Sequence, residues 1–185
     1  MTKRAYHHGD LRRAVLAAAI DAITEHGPGG VSLRDLARRA GVSHAGPVHH
    51  FGDKAGLLTA IAAQGYALLA DALVEAWAAT EDFREVGVAY VGFAIRHRAH
   101  FDVMFRPDLY HPDDPDVAAE RDRASTELAR GVDTVAGETD PHLAGIAAWS
   151  LVHGFATLWL TGALTDIDDA PEATARAIAG VLFRA

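Results

Sequence analysis

Histidines and carboxylates are the residues of this chain that first suggest catalysis or metal binding. The 185 residues include 11 His and 25 Asp or Glu but no Cys, which excludes thiolate ligands and disulfides. His97 and His100 lie three residues apart with Asp102 nearby, yet a further metal ligand would have to come from a distant segment. No HExxH, GxSxG, P-loop or dinucleotide motif occurs. We therefore predict no catalytic residue, no metal site and no cofactor, and we disfavour a histidine-metal enzyme.

The stretch VSLRDLARRAGVSHAGPVHHF (31–51) indicates two short helices joined by a tight turn. Ser32 is a good helix N-cap, and Asp35 three residues later completes a capping box. Apolar residues at positions 33, 36, 37 and 40 then form one helical stripe. Gly41 ends this helix in the left-handed conformation, and Val42 is an apolar plug for the corner. The pattern predicts a short helix followed by a tight turn.

A second short helix follows the turn. We expect Ser43 to cap it, and Pro47 and Phe51, four residues apart, to give it an inward face. The residues that then point outward near its N-terminal end are His44, Ala45, Val48 and His49. Two such helices form a helix-turn-helix, whose second helix places its first residues on base edges in the major groove. A plain helical corner is the alternative.

The next predicted helix begins with Asp53 as its N-cap and Lys54 as its first residue. Free backbone N–H groups, the helix dipole and the Lys54 ammonium can converge there on one phosphate. A glycine at position 46 can also let the backbone approach DNA closely. The predicted DNA-binding residues are Ser32, Arg34, Ser43, His44, Ala45, Gly46, Val48, His49, His50 and Lys54.

The order of these features resembles the N-terminal domain of tetracycline-repressor-type (TetR) transcription regulators. The resemblance runs from about Gly9 to Leu69 and covers three helices and the residues that end them. It rests on LxxLAxxAGVS, on the xHF that ends at Phe51, and on the Asp53-Lys54 pair. The resemblance implies a three-helix DNA-binding domain.

One position departs from the family pattern. The family usually has an aromatic residue, most often Tyr, that touches a phosphate where this chain has Val48, and Pro47 replaces a common Leu. Because Val48 cannot make a polar contact, we expect His49 and His50 to carry more of the phosphate binding.

Charge is divided unevenly along the chain, whose formal net charge is −8. Residues 1–56 hold eight Lys or Arg against five Asp or Glu, a balance of +3, whereas residues 57–185 hold nine against twenty, a balance of −11. A basic end beside an acidic remainder is typical of a protein that meets phosphates with one part only. Lys3, Arg4 and His7-His8 form a basic arm that either touches DNA or is a plain terminus.

The chain as a whole predicts an all-α fold, because half of its residues are hydrophobic and strand-like alternation is nearly absent. We predict a helix-turn-helix DNA-binding domain at 9–69, with the motif at about 32–51, and a helical ligand-binding and dimerisation domain at 70–185. The predicted helices, about nine in all, lie at about 11–25, 32–40, 43–51, 53–78, 83–98, 100–105, 116–136, 142–160 and 171–183, with a loop at 107–115.

The stretch 142–160 is apolar on nearly every side. A helix of this kind must be covered all round, and one short chain covers only part of it. We therefore predict a homodimer in which 142–160 and 171–183 pair with their two-fold mates. The W-x3-H-G spacing of Trp149, His153 and Gly154 resembles a TetR ligand-binding domain named for those residues.

Large apolar side chains with one polar group among them are the usual lining of a small-molecule pocket. The predicted ligand-binding residues are Phe101, Met104, Phe105, Trp149, His153 and Phe155. A closed core made from the same residues is the alternative, with His153 as a hydrogen-bonded core histidine.

Together these features predict a DNA-binding transcriptional regulator. We favour a repressor that binds a palindromic DNA operator as a homodimer and is released by a largely apolar effector. An architectural DNA-binding protein without an effector is the alternative, but residues 70–185 are far more than dimerisation requires. The start of the chain is polar and no apolar run approaches the roughly 20 residues of a membrane span, so we expect a cytoplasmic protein with no membrane partner.

Overall fold

The structure is a computed structural model that describes residues 8–43 and 45–182. The predicted basic arm at Lys3, Arg4 and His7 and the predicted DNA contact at His44 lie outside the described residues. Within the described ranges the chain contains helices and no strand, which confirms the predicted all-α fold.

Ten α-helices and two 3-10 turns follow one another along the described chain. The 3-10 turns are Pro28–Gly30 and Pro107–Leu109. The α-helices are α1 (His8–His26), α2 (Leu33–Arg39), α3 (Ala45–Phe51), α4 (Lys54–Thr80), α5 (Phe83–Arg96), α6 (Arg98–Met104), α7 (Pro115–Ala129), α8 (Asp133–Ala136), α9 (Pro141–Leu160) and α10 (Pro171–Leu182).

The count exceeds the expected nine because the helix predicted at 116–136 is two helices. Gly131 lies between α7 and α8 with a φ of +82°, a left-handed conformation that glycine adopts readily. The chain turns there directly against Trp77, since a Cβ added at Gly131 would overlap the indole ring. Gly131 therefore ends α7 as Gly41 ends α2, although the prediction carried one helix through this glycine.

The described residues group into two compact units. The first comprises the described residues up to Gly65 together with Ala99–Ala118, and the second comprises Tyr66–Arg98 together with the described residues from Ala119 onward. The point of division lies inside α4, as does the predicted domain boundary after Leu69. The assignment of Ala99–Ala118 differs from the prediction, which gave this segment to the C-terminal domain.

Hydrogen bonds in the first unit show why Ala99–Ala118 groups with it. The backbone N–H of His111 donates to the Thr59 hydroxyl on α4 (3.0 Å), and the buried Tyr110 hydroxyl donates to the carbonyl of Met104 (2.9 Å). A Cβ added at Gly65 would lie 2.5 Å from the Met104 sulfur, so α4 and α6 are in close contact there. The segment predicted as a loop at 107–115 is therefore anchored at its middle, through Tyr110 and His111.

In the second unit, α5 packs against both α9 and α10. The Arg176 guanidinium of α10 donates two hydrogen bonds to the Glu85 carboxylate of α5, at 2.5 and 2.7 Å. A separate apolar cluster joins α5, α8 and α9, with Trp77 packed against it. Its buried members are Phe83, Val132, Ala136, Ala144 and Ala148.

We expect Gly131→Ala to lower the free energy of unfolding by about 2–4 kcal/mol. The left-handed backbone costs an L-residue about 1–2 kcal/mol, and displacing the Trp77 ring adds an overpacking cost of similar size. Gly162→Ala is the matched control, because Gly162 also has a positive φ (+71°) but an added Cβ meets nothing within 4 Å. Urea unfolding followed by circular dichroism measures both variants, and equal losses would contradict the assigned close packing.

Candidate functional site

Helix α2 begins with a side-chain cap, as the sequence predicts. The Ser32 hydroxyl accepts a hydrogen bond from the Asp35 backbone N–H (3.2 Å). The Asp35 carboxylate accepts a hydrogen bond from the Ser32 hydroxyl (2.8 Å) instead of from the backbone N–H of Ser32. The predicted capping box therefore has its Ser32 half but not its Asp35 half. This hydrogen bond from Ser32 lowers the pKa of Asp35. The start of α2 is thereby fixed, with Ser32 and Arg34 exposed on the surface.

The turn between α2 and α3 has the predicted geometry. Gly41 adopts a φ of +66°, and the backbone N–H of Val42 donates to the carbonyl of Ala37 (2.9 Å). This bond satisfies one of the free carbonyls at the end of α2. Val42 is half-buried at the corner. The helix-turn-helix is therefore present where the sequence places it.

Helix α3 is held by the two side chains predicted to point inward, since Pro47 and Phe51 are both buried. The helix packs against α1 and α2. The Arg12 guanidinium of α1 lies over the Phe51 ring, 5.6 Å from its centroid, which is a cation–π contact. Arg12 was not among the residues predicted from the sequence.

The opposite side of α3 is open to solvent. Val48 is 43% exposed, and Ala45 and His49 are exposed with it, as is Ser43 before the helix. His50 is half-buried, and its ring lies 5.6 Å from that of His49. The structure thus brings small side chains and two imidazoles together beside the turn, where they can contact bases and phosphates.

Gly46 faces the protein and not only the solvent. A Cβ added there would lie 3.0 Å from one terminal methyl group of Leu11 and 3.3 Å from the other. A larger residue at position 46 would therefore push the end of the Leu11 side chain aside by a few tenths of an ångström, so Gly46 lets α1 and α3 pack closely. This is an internal reason for Gly46, different from the close approach to DNA that the sequence suggested.

The start of α4 combines a cap with a tether. The Asp53 carboxylate accepts a hydrogen bond from the Gly56 N–H (2.8 Å), as an N-cap does. The Lys54 ammonium donates to the carbonyl of Gly29 in the first 3-10 turn (2.9 Å). An ammonium has three N–H donors, so Lys54 can hold this turn and still meet a phosphate. This hydrogen bond joins residues that are 25 apart in the sequence, and no sequence pattern predicted it.

The six residues predicted to bind a ligand fall into two groups of three, one in each unit. Phe101 and Met104 are buried in the first unit, where the Phe101 and Phe105 rings lie 5.0 Å apart. Trp149, His153 and Phe155 belong to α9 in the second unit. Their assignment to one pocket stays a prediction.

Two clefts in the described chain have other linings. One is lined by the side chains of α1 and α2, namely Ala18, Asp21, Thr24, Glu25 and Arg39. The other is small and mostly apolar, and is lined by Phe83, Arg84, Gly87, Leu128, Ala148, Val152 and Ala179. Within the described ranges, no three His, Asp or Glu side chains are grouped so that they could hold a metal ion.

Trp149 and His153 share one hydrogen-bonding partner. The Trp149 indole N–H donates to the Tyr90 hydroxyl (3.2 Å), and the same hydroxyl lies 2.9 Å from Nδ1 of His153. Burial raises the pKa of Tyr90 and lowers the pKa of His153, which favours the neutral form of both groups. His153 is therefore a hydrogen-bonded histidine, and its contact with a ligand stays a prediction. Tyr90 was missed, although a buried Tyr must find a partner for its hydroxyl.

Helix α9 leaves much of its apolar surface uncovered. Leu143, Ile146 and Leu158 are 59%, 45% and 46% exposed, and Val181 on α10 is 62% exposed. Both α4 and α9 are long and apolar enough to span a membrane, with 56% and 28% of their most apolar 18-residue windows buried. This corrects the expectation that no segment of the chain reaches that length and apolarity. Burial in the core of a single chain therefore does not explain why α9 is so apolar.

The fold and the exposed face of α3 define a class, namely all-helical regulators that bind DNA through a helix-turn-helix. Residues 15–61 match the family model for bacterial regulatory proteins of the tetR family, and residues 83–182 match a model described as the tetracyclin repressor-like C-terminal domain. The chain belongs to the TetR family of transcriptional regulators, and it is a DNA-binding regulator with a C-terminal ligand-binding domain. The particular subtype named for Trp, His and Gly stays a prediction.

Solved structures agree over nearly the whole chain. A protein of unknown function from Rhodococcus sp. RHA1 is 32% identical, with 98% of each chain covered and a TM-score of 0.82. The TetR family transcriptional regulator PfmR from Thermus thermophilus is 28% identical, with 92% of this chain and 97% of that chain covered and a TM-score of 0.74. A comparison with curated proteins gives no match. Members of this family are soluble DNA-binding regulators and not enzymes.

Proposed function

We propose that the protein is a cytoplasmic repressor that binds a palindromic DNA operator as a homodimer and is released by a small, largely apolar effector. The observation that supports DNA binding is the solvent-exposed side of α3. This side faces outward because Pro47 and Phe51, on the opposite side of the helix, are buried. In a two-fold dimer, two such helices enter major grooves about 34–36 Å apart, one turn of DNA. Ser32, Arg34 and Lys54 contact phosphates beside them, and the other predicted DNA-binding residues read or flank the bases, namely Ser43, His44, Ala45, Gly46, Val48, His49 and His50.

Substitutions in the two parts of this interface should have different effects. We expect Lys54→Gln, which removes the charge but keeps a donor for the Gly29 carbonyl, to weaken binding to every sequence and to reduce the salt slope by about one unit. We expect His49→Ala to change which bases are preferred. Fluorescence anisotropy with selected and scrambled duplexes over a salt series separates the two. A wild-type protein with no preference among random duplexes at moderate salt would refute specific recognition.

The homodimer is supported by the uncovered surface of α9 and α10. Helix α9 contains no Lys, Arg, Asp or Glu over 20 residues, although the chain has a net charge of −8. Two copies of this helix can therefore approach without like-charge repulsion, and their exposed Leu, Ile and Trp side chains gain by leaving water. A stable interface of this kind buries on the order of 2,000 Å² or more.

We expect Ile146→Lys to dissociate the dimer, because it places a charge on each side of the two-fold contact. Val48→Lys is the matched control, since Val48 has the same degree of exposure but lies on α3. Sedimentation velocity at micromolar concentration should give a dimer for the wild type and the control and a monomer for Ile146→Lys. If the wild type were a monomer under these conditions, both the proposed homodimer and the proposed palindromic operator would be contradicted.

The effector proposal is supported by the match of residues 83–182 to a tetracyclin repressor-like C-terminal domain and by the two groups of large apolar side chains. The proposed contacts are Phe101, Met104, Phe105, Trp149, His153 and Phe155. A ligand releases DNA when it favours a conformation of the protein in which the recognition helices no longer match one turn of the operator. A hundredfold release needs a differential affinity of about 2.7 kcal/mol, within the usual range of allosteric coupling.

A thermal-shift screen of uncharged, weakly polar compounds is expected to find at least one that raises the melting temperature and lowers operator affinity. By reciprocity, saturating operator DNA should weaken binding of that compound by the same factor. The two effects are measured by anisotropy and by calorimetry with and without DNA. A screen that yields no stabilising compound, or one whose hits leave operator affinity unchanged, would favour DNA binding without an effector.

A further inference from the structure

Tyr90, Trp149 and His153 form a hydrogen-bonded group that joins the interior of the second unit to its surface. Tyr90 is 1% exposed on α5, whereas Trp149 on α9 is 40% exposed and His153, one turn further along, is half-buried. One hydroxyl contacts both α9 side chains, at 3.2 and 2.9 Å. The Trp149 and His153 rings lie 6.0 Å apart, edge to face. A buried residue therefore holds two surface residues in a fixed relation.

The directions of the hydrogen bonds follow from the chemistry of the three groups. An indole N–H can only donate, so the Tyr90 oxygen accepts from Trp149. A buried Tyr that keeps its proton donates it, and Nδ1 of His153 is the acceptor. His153 is then neutral, with its proton on Nε2. If His153 gained a second proton, Nδ1 would become a donor, and the Tyr90 proton would have to turn elsewhere in a buried site.

The surface that this group positions has the features of a self-contact. Trp149 lies on the same uncovered side of α9 as Ile146, in a helix without charged side chains. Next to His153, a Cβ added at Gly154 would meet nothing within 4 Å. A glycine in the middle of a helix lowers the stability of the helix by about 1 kcal/mol relative to Ala. A close approach by the backbone of a second copy would account for a glycine at this position. A Trp already fixed by a hydrogen bond loses less entropy on association than a free one.

We infer that Tyr90 is a positioning residue for self-association: its hydroxyl orients Trp149 and His153 for contact with a second copy of this chain, and protonation of His153 weakens that contact. The inference rests on the homodimer proposed above and adds its regulation. Acidification then releases DNA by dissociating the dimer, without any effector.

Several charged groups lie on the elements that pack against α9. They are Arg84, Glu85 and Arg96 on α5, Asp133 on α8, and Glu172 and Arg176 on α10. Glu85 is paired with Arg176, and Glu172 lies 3.6 Å from Arg96. The pKa of His153 is lowered by burial of the ring and not by any of these charges. A second copy would remove more water from the ring and so act in the same direction.

The sign of the pH dependence follows. Burial lowers the pKa of His153 in the single chain already, and the water removed by a second copy lowers it further. The dimer therefore binds fewer protons than the separated chains, so dissociation takes up protons as the pH falls. The dimer is expected at full strength above about pH 6.5, the ordinary pKa of histidine, and it weakens as the pH falls through the lowered pKa of His153.

The first test replaces Tyr90 by Phe, which keeps the ring and removes the hydroxyl. Each copy loses two hydrogen bonds, so we expect the dimer dissociation constant from sedimentation equilibrium at about pH 8 to rise about tenfold or more. Tyr110→Phe is the matched control, because Tyr110 is also buried and donates one hydrogen bond in the first unit. The control is expected to lose stability without a change in the dissociation constant. Equal dissociation constants for wild type and Tyr90→Phe would overturn the inference.

The second test needs no buried substitution. Trp149→Phe removes the indole N–H and part of the ring system of a side chain that is 40% exposed, and we expect it to weaken the dimer in the same direction as Tyr90→Phe. His153→Gln keeps a neutral acceptor, so it should remove the weakening that the wild type shows between about pH 8 and about pH 5.5. His142→Gln, at the exposed start of α9, should leave that weakening intact. A pH response retained in His153→Gln overturns the regulation, whereas a wild-type monomer at about pH 8 overturns the homodimer itself.

Discussion

The burial of Pro47 and Phe51 is the constraint on which the DNA-binding part of this protein depends. Helix α3 has seven residues and contains both a glycine and a proline. Isolated helices shorter than about 12 residues are marginal in water, so α3 depends on its packing against α1 and α2, in which these two side chains are the buried residues. The same packing turns Val48 and His49 toward solvent. Recognition of DNA is thus a consequence of a small hydrophobic core.

A similar relation holds in the second unit, where the interior residue is polar. The buried Tyr90 hydroxyl has two hydrogen-bonding partners on α9, Trp149 and His153. These two side chains also form part of the surface of that helix. In both units, therefore, a buried group sets the direction of an exposed one. The difference is that a hydrophobic contact is insensitive to pH, whereas a hydrogen bond to histidine is not. The proposed pH dependence belongs to the second unit for this reason.

The grouping of Ala99–Ala118 with the first unit changes how the C-terminal half is understood. The hydrogen bond from His111 to Thr59 joins residues 52 apart, and Tyr110 closes the segment onto the end of α6. Three of the six predicted ligand contacts thereby fall in the unit that carries the helix-turn-helix. A ligand bound there would act on the DNA-binding unit directly, and one bound beside Trp149 would act on self-association. Variants in the two groups can separate these possibilities.

The sequence by itself determined the features that depend on residues within about one helical turn. These include the Ser32 cap, the left-handed Gly41, the inward Pro47 and Phe51, and the uncharged α9, because capping and amphipathic spacing are local. Only the tertiary structure decided that Lys54 holds Gly29 and that Tyr90 joins Trp149 and His153. These contacts join residues 25 to 63 apart, and they depend on how helices pack, which no local pattern encodes.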